Sequence, residues 1–227
     1  MRINADFSQA ERVRFAESDW VQSPAAGVER RPLDRIGDEV ARATTIVRFA
    51  PGAEFHAHTH DGGEEYLVLE GKFQDEDGDF PKGAYVRNPP TTAHHPRADD
   101  GTVILVKLHQ FDPEDRTNVH AMMAASEAVP VAGRPGVSVQ PLHRDAREEV
   151  RLEVWAPGVE IGLDLPGGGE LFVLEGGYTE GGVEMGQWDW LRLPAGARLD
   201  AVAGPDGAQV WVKTGHLADP IGVDVAA

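Results

Sequence analysis

Residues 51–71 read PGAEFHAHTHDGGEEYLVLEG, and residues 157–176 read PGVEIGLDLPGGGELFVLEG. Both stretches begin with Pro-Gly, pass through a glycine-rich turn and end in Val-Leu-Glu-Gly. Alternating apolar and polar residues beside such a turn are typical of two short strands that form a hairpin. The chain therefore contains the same structural unit twice, and the fold is expected to consist of two similar halves.

The repeat extends beyond the two hairpins. Residues 85–89 (YVRNP) correspond to residues 190–194 (WLRLP), and the Asp-Pro pair at 112–113 recurs at 219–220. The other signals are short apolar runs separated by turns, with 26 Gly and 16 Pro in 227 residues. Helical periodicity is weak, except for a predicted helix over 118–128. The pattern predicts an all-β protein of two tandem jelly-roll barrels.

The first repeat carries histidines and a carboxylate at spacings that suit metal binding. His58 and His60 lie two residues apart on a predicted strand, so their side chains point to the same face. The turn at 61–63 reverses the chain and brings Glu64 back on the neighbouring strand. Further along, His94 supplies a third imidazole from another strand. We call these four residues, His58, His60, Glu64 and His94, the His–Glu cluster.

Three neutral imidazoles and one carboxylate form a donor set that zinc, iron, manganese and nickel all accept. Four protein ligands leave coordination positions open for water or a substrate. The sequence therefore predicts one divalent transition metal ion in the first barrel, held by the His–Glu cluster. The expected partner is a small-molecule ligand or substrate.

The second repeat has lost this donor set. A shift of 105 residues places Leu163, Leu165, Gly169 and Leu199 at the positions of the His–Glu cluster. Because the interior of a small barrel must be filled by side chains, the aliphatic replacements predict a metal-free barrel with a structural role. Glu170 has no imidazole beside it and is predicted to lie at the surface.

Two further residues are candidates for catalysis. His56 shares strand parity with His58 and His60 and is predicted to face the interior, where it could transfer protons or act as an alternate ligand. The other reading is a partly buried histidine near the barrel mouth. Tyr66 shares parity with Glu64 and could donate a hydrogen bond to a substrate, or it could be an ordinary core aromatic.

The other histidines are predicted to take no part in the site. His95 directly follows His94 on its strand, so its side chain should point to the opposite face. The rest are expected at the surface or at strand edges; these are His109, His120, His143 and His216.

The histidines and their surroundings match two sequence motifs. The first, G-x5-H-x-H-x3-E-x6-G, runs from Gly52 to Gly71, and the second, G-x5-P-x4-H, runs from Gly83 through Pro89 to His94. Both resemble the motifs of the cupin superfamily, in which the His–Glu cluster takes the four ligand places. Within this superfamily the run at 87–90 (RNPP) and the run at 106–108 (VKL) resemble the ChrR-type cupins.

The second motif departs from the family pattern at two positions. Thr91 stands where glycine is usual, and Ala98 stands where asparagine is common. The resemblance nevertheless covers nearly the whole chain as a repeated barrel and implies a double-stranded β-helix in each half. It divides the chain into an N-terminal arm (1–26), a metal-binding barrel (27–117), a linker (118–136), a degenerate metal-free barrel (137–220) and a C-terminal tail (221–227).

The resemblance implies a metal-binding bicupin that acts as a mononuclear, dioxygenase-like enzyme on a small oxygenated molecule. The ChrR-type group also includes the cupin domain of zinc-dependent anti-sigma factors. The alternative is therefore a non-catalytic cupin that senses a ligand or an oxidant. Because cupin barrels pair through their sheets and strands, a homodimer is also predicted as an option.

The composition limits the other partners. The formal net charge of −17 opposes contact with a phosphate backbone, so no nucleic-acid partner is expected. No apolar run reaches the roughly 18 residues of a membrane span, so no membrane partner is expected either. The absence of Cys excludes disulfides and thiolate ligands and agrees with a cytoplasmic location.

Overall fold

The computed structural model describes residues 1–38 and 40–223. These residues form two compact units. The first consists of Met1–Ala5, Asp19–Met122 and residues 221–223, and the second consists of Asp6–Ser18 and Met123–Pro220. Among the described residues, no helix has the length and apolar character needed to span a membrane.

Strands make up both units, which confirms the all-β prediction. In chain order they are β1 Arg2–Ile3, β2 Glu11–Val13, β3 Val21–Gln22, β4 Val28–Gly37, β5 Ala41–Phe49, β6 Ala53–Glu54, β7 His58–Thr59, β8 Glu64–Asp75, β9 Gly78–Pro81, β10 Ala84–Asn88, β11 Ala93–His94, β12 Arg97–Ala98, β13 Thr102–Leu108, β14 Val119–Met122, β15 Val129–Pro130, β16 Val137–Arg144, β17 Glu149–Trp155, β18 Glu160–Leu165, β19 Gly169–Glu180, β20 Val183–Met185, β21 Trp190–Leu193 and β22 Ala197–Thr214. Two 3-10 helices accompany them, Phe15–Glu17 and Ala125–Glu127.

The helix predicted over 118–128 is wrong. Its first half is β14, which pairs antiparallel with β10, and its second half contains the short 3-10 helix Ala125–Glu127. The apolar residues Met122 and Met123 suggested a helical face. The backbone hydrogen bonds of an available sheet edge outweigh such a weak local preference.

The first unit is an antiparallel barrel with the strand order β1-β4-β5-β13-β8-β10-β14, and β7 pairs separately with β11. β8 lies between β13 and β10. Because side chains alternate along a strand, Glu64, Tyr66 and Val68 share one face of β8, and this face is the barrel interior. The apolar core of the barrel interior consists of Val28, Val47, Phe49, Ala53, Tyr66, Val68, Phe73, Phe80, Ala84, Val86, Ala98, Ile104 and Val106.

The second unit repeats this architecture. Its order is β15-β16-β17-β22-β19-β21-β2, which matches the first unit strand for strand. β22 pairs with β18 through its first half and with β17 through its second half. Leu165 and Leu199, two of the aliphatic replacements, are buried in its core, and Leu163 packs against that core.

The edge strands do not follow the predicted segment boundaries. The prediction placed residues 1–26 in one arm, but β1 pairs with β4 in the first unit, whereas β2 pairs with β21 in the second. The predicted linker at 118–136 likewise contributes β14 to the first unit and β15 to the second. Strands of two to four residues carry too little pattern to indicate which sheet they join.

The turn that leads into β11 contains a residue in an unusual backbone conformation. Thr91 has a φ of 78°, in the left-handed region, and it occupies the motif position where glycine is usual. Its N–H donates to the carbonyl of His60 at 3.1 Å, and the N–H of His60 donates to the carbonyl of Thr92 at 2.8 Å. These bonds hold the turn against His60 despite the steric cost of a β-branched residue at positive φ.

We therefore predict that Thr91→Gly raises the free energy of unfolding by about 1 kcal/mol, because glycine adopts positive φ without the steric penalty. Chemical denaturation of the parent and the variant measures this. Thr117→Gly is the matched control, since Thr117 is exposed and has an ordinary φ, and it should lower stability. Equal losses from the two substitutions would contradict the strain at Thr91.

Candidate metal centre

Strand pairing brings the His–Glu cluster together. In the two-stranded ladder of β7 and β11, His58 lies directly opposite His94. His60 follows β7 at the turn, and Glu64 is the first residue of β8. Gly63 precedes Glu64 with a φ of 76°, and a Cβ at this glycine would meet the ring of Phe111 at 2.3 Å. The turn thus needs glycine both for its conformation and for the close approach of the ring.

The four side chains are close enough to share one ion. One ligand atom from each lies within 4.8 Å of the other three. The Glu64 carboxylate oxygen is 3.5 Å from Nε2 of His60 and 3.4 Å from Nε2 of His94. Ligand atoms about 2.1 Å from one ion would lie about 3.0 Å apart at octahedral angles and about 3.4 Å apart at tetrahedral angles. The structure therefore places the predicted ligands at a spacing that suits a first-row metal ion.

The hydrogen bonds of His60 fix which of its ring nitrogens faces the cluster. The hydroxyl of Thr92 donates to the carbonyl of Pro89 at 2.7 Å, so toward His60 it acts as an acceptor. Nδ1 of His60 therefore donates to this hydroxyl, at 2.9 Å. The proton on Nδ1 leaves Nε2 with a free lone pair that points at the cluster.

The other two imidazoles are oriented in the same way. Nδ1 of His58 donates to the backbone carbonyl of His56 at 2.9 Å, and Nδ1 of His94 donates to the carboxylate of Asp75 at 3.0 Å. Both partners can only accept, so both rings carry their proton on Nδ1. Such carboxylate and carbonyl partners are typical of metal-binding histidines, because they fix the tautomer and the ring orientation.

The unpartnered atoms of the site fit a cation. Among the described residues, the buried side-chain atoms without a hydrogen-bond partner include Nε2 of His60, Nε2 of His94 and Oε2 of Glu64. Lone pairs on two nitrogens thus face a carboxylate oxygen in a buried setting. Leaving buried polar atoms unpaired is costly, and a positive ion among them would satisfy all three.

The protonation of the cluster follows from its burial. Burial, together with His94 and His58, lowers the pKa of His60 to about 3, so this imidazole is neutral at physiological pH. Burial also raises the pKa of Glu64. For His94 burial favours the neutral ring, but the hydrogen bond to Asp75 and the charge of Glu64 outweigh it and raise the pKa. Without a metal, a proton can therefore bind in the cluster, and metal affinity should fall at acidic pH.

The cluster has one open side. His60, Glu64 and His94 are buried, whereas His58 is exposed. An ion held by these residues would be reachable by a small molecule past the His58 ring. Asn88 lies directly opposite Glu64 in the pairing of β10 with β8, so its side chain is a neighbour of the Glu64 carboxylate.

The predicted interior position of His56 is wrong. Its side chain is exposed, and only its backbone carbonyl contributes to the site, by accepting the hydrogen bond from His58. The parity argument failed because no strand covers residues 55–57, so the alternation of faces does not extend from His58 back to His56. A catalytic role for His56 stays a prediction.

Tyr66 lies where parity with Glu64 places it. It is fully buried in the apolar core of the first unit, in contact with Phe73 and Phe80. Its hydroxyl has no hydrogen-bond partner among the described residues. Burial and the nearby Glu64 and Asp75 carboxylates raise its pKa, so the hydroxyl stays protonated and can only donate or accept a hydrogen bond.

Several polar residues predicted at the surface are buried instead. Glu170 is fully buried, and it accepts hydrogen bonds from Nε1 of Trp190 at 3.1 Å and from Nε2 of His216 at 2.9 Å. His143 and His216 are buried as well. The prediction considered only metal ligation as a reason to bury a polar group and missed that paired polar groups are also buried.

A second group of potential ligands is present in the second unit, formed by His143, Asp145 and Glu148. These groups already have protein partners. Asp145 accepts from Nε2 of His143 at 3.2 Å and from two backbone N–H groups, while Glu148 forms an ion pair with Lys213 at 2.8 Å. The bonds that they already make explain their position without an ion.

Sequence reasoning missed the residues that orient the cluster, above all Asp75 and Thr92. Asp75 is at the far end of β8, and a register shift at Leu69 separates it from Glu64, so the alternation of side chains along the strand gave no signal. Thr92 lies in a turn, where no periodicity applies. The spacing of two residues between Thr92 and His94 was the only sequence hint.

We predict that Asp75→Asn weakens metal binding by about 10- to 100-fold. The Asp75 carboxylate orients the ring of His94 and increases its basicity, and the neutral amide of asparagine would do both less well. Titration of the metal-free protein with zinc measures this affinity. Asp79→Asn is the control, since Asp79 is exposed and bonded to Lys72 and Gln74. A zinc affinity unchanged by Asp75→Asn would contradict the role given to this residue.

Comparison with known proteins places the fold. A Nostoc punctiforme protein provisionally assigned as a dioxygenase aligns with a TM-score of 0.74 and 15% identity, over 96% of this chain and 88% of that one. A Pseudomonas aeruginosa protein provisionally named as glyoxylate-induced aligns with a TM-score of 0.71 and 16% identity, over 90% and 88%. The Escherichia coli pirin YhhW in complex with nickel(II) aligns with a TM-score of 0.66 and 13% identity, over 91% and 98%.

At these identities the solved structures show a shared fold. No curated protein matches the chain in sequence. Residues 8–112, which contain the whole His–Glu cluster, match the family model of the ChrR cupin-like domain. The jelly-roll architecture of both units and these structural similarities show that the chain has the cupin fold, and residues 8–112 are similar to the ChrR cupin-like domain.

Proposed function

We propose that the first unit is a mononuclear metal-dependent enzyme of the dioxygenase-like type, which acts on a small oxygenated molecule. One observation carries the proposal: Nε2 of His60, Nε2 of His94 and Oε2 of Glu64 converge without hydrogen-bond partners in the described part of the chain, next to the exposed ring of His58. A five- or six-coordinate ion held by these four residues would keep one or two positions for a substrate on the exposed side.

An ion bound there would supply Lewis acidity to polarise a carbonyl or an enolate, and a redox-active ion would add electron transfer to dioxygen. The protein contributes the geometry. Asp75, Thr92 and the carbonyl of His56 hold the imidazoles in one tautomer, so no reorganisation is needed when a substrate arrives.

Tyr66 is proposed to hold a substrate oxygen or the carboxylate of Glu64 through its hydroxyl. The hydroxyl is buried and has no hydrogen-bond partner among the residues that the structure describes, and Tyr66 shares the interior face with Glu64. Because burial raises the pKa of Tyr66, the group serves as a hydrogen-bond donor and not as a base. Proton exchange with solvent would take place on the side of His58 and His56, where the cluster is exposed.

The relatives support the type of chemistry without fixing the ion. The Nostoc protein supports an oxygenase, and nickel in the pirin supports a first-row divalent ion. Zinc, iron, manganese and nickel therefore stay as proposed occupants, and the ion that supports oxygen chemistry would be iron(II). A cytoplasmic location and a homodimer also stay predictions.

A sensing function is the second candidate, because residues 8–112 match the ChrR cupin-like domain. In this case the first unit would bind its ion and respond to an oxidant or a ligand without turnover. The two candidates make different predictions about oxygen consumption, since only an enzyme would consume dioxygen repeatedly.

We predict that the metal-free full chain, reloaded with iron(II), consumes about one dioxygen per substrate molecule, as incorporation of both oxygen atoms into the product requires no further reductant. An oxygen electrode with 2,4-pentanedione or catechol as the probe measures the uptake. Glu64→Gln should abolish it, because the site loses its anionic ligand. Glu70→Gln, an exposed residue on the same strand, should leave it unchanged.

Absence of uptake with iron, manganese and nickel across diketones and phenols would contradict the enzyme proposal. Uptake that is equal in the parent and in Glu64→Gln would show oxidation by free metal and would contradict it as well. An oxidant that releases the bound ion without any turnover would favour the sensing candidate.

A further inference from the structure

We propose that the open end of the second barrel binds a small monocarboxylic acid with an apolar body, through the guanidinium of Arg151. A cavity of about 440 Å³ is present there, and the second unit alone forms its lining. This volume falls within the range of about 300–1,000 Å³ that is typical of small-molecule sites.

The cavity lies at the end of the barrel that corresponds to the His–Glu cluster. In the second unit Leu163 is directly opposite Leu199, as His58 is opposite His94 in the first. Leu163 and Leu165, which replace two ligands, line the cavity. The loss of the imidazoles has therefore turned this end of the barrel into an apolar wall without filling it completely.

Arg151 adds a buried positive charge to this wall. Its side chain is only 7% exposed. Nε donates to Glu153 at 2.7 Å, and Nη1 donates to the hydroxyl of Thr214 at 3.2 Å. A guanidinium has five N–H donors, so three of them have no hydrogen-bond partner among the described residues. These donors belong to a residue that lines the cavity.

Glu153 does not satisfy the remaining donors. Its carboxylate already accepts two bonds from Arg134, at 2.9 and 2.7 Å, one from Arg151 and one from Nε1 of Trp155 at 2.7 Å. Burial opposes its ionisation, but the hydrogen bond from Arg134 and the charges of both arginines outweigh burial and lower the pKa of Glu153. Two guanidinium groups thus share one fully paired carboxylate.

The nearest additional carboxylate is that of Glu149, which also lines the cavity. It is 4.0 Å from Nη1 of Arg151, too far for a hydrogen bond, and its side chain is 39% exposed. Asp164 lines the cavity too, but it is 79% exposed and pairs with Arg198. The remaining donors of Arg151 are therefore available to a ligand, and Glu149 competes with that ligand for the positive charge.

The chemistry of the lining determines the class of ligand. A carboxylate matches the planar donor geometry of arginine and can accept two parallel hydrogen bonds from it. The aliphatic side chains of Val131, Val139, Leu163 and Leu165 suit the apolar remainder of the molecule. A zwitterion, with its ammonium group against Glu149, is the competing class.

The test is calorimetric titration of the full chain with 4-methylpentanoate, and with 4-methylpentan-1-ol and leucine as the neutral and zwitterionic probes. We expect the acid to bind and Arg151→Gln to weaken binding about tenfold or more. Glu149→Gln should strengthen binding, since it removes the competing carboxylate. Arg151→Gln keeps the Arg134–Glu153 pair intact and should leave the metal content of the first unit unchanged.

Leu163→Asp provides a second variant that leaves the arginines untouched. It places a negative charge in the cavity wall and should abolish binding of the acid even if Arg151→Gln fails to fold. No binding of the acid at millimolar concentration would overturn the proposal. Equal binding of the alcohol, tighter binding of leucine, or unchanged affinity in both variants would also overturn it.

Discussion

The structure of the first unit depends on one electrostatic constraint. A buried carboxylate oxygen of Glu64 faces Nε2 of His60 and of His94 at 3.5 and 3.4 Å, and none of the three atoms has a hydrogen-bond partner in the described chain. The protons of both rings are held on the far side by Thr92 and Asp75. Lone pairs cannot remain opposed in this way at low cost, so the site requires a positive charge. A metal ion satisfies all the donors at once, whereas a proton satisfies only two of them.

The second unit fills the corresponding part of its barrel with apolar side chains and needs no positive charge there. Leu165 and Leu199 replace the corresponding histidines and join an apolar core, while the strand order is unchanged. The two barrels therefore form an internal control within one chain. They show that the cupin fold does not need the His–Glu cluster for its stability. This supports the view that the cluster is retained for chemistry.

The His–Glu cluster could be predicted because the alternation of side chains and the tight turn act over short distances in sequence, while the second motif indicated His94. His58 and His60 lie next to a tight turn, so local geometry nearly determines where they meet Glu64. The prediction failed where parity was carried across an irregular segment, as for His56, and where burial came from pairing between distant polar groups, as for Glu170. The residues that orient the ligands were harder to predict. The position of Asp75 relative to Glu64 depends on a register shift in β8, and no sequence pattern indicated that shift.

Metal binding by the His–Glu cluster is tested by the metal content of the purified full chain, compared with a variant that carries His58→Leu, His60→Leu and His94→Leu. These changes copy the side chains of the second unit, so the variant should keep the fold, which circular dichroism would verify. We expect about one divalent ion per chain in the parent and almost none in the folded variant. Equal metal content in both proteins, or a parent that binds no divalent ion when supplied with one, would contradict it.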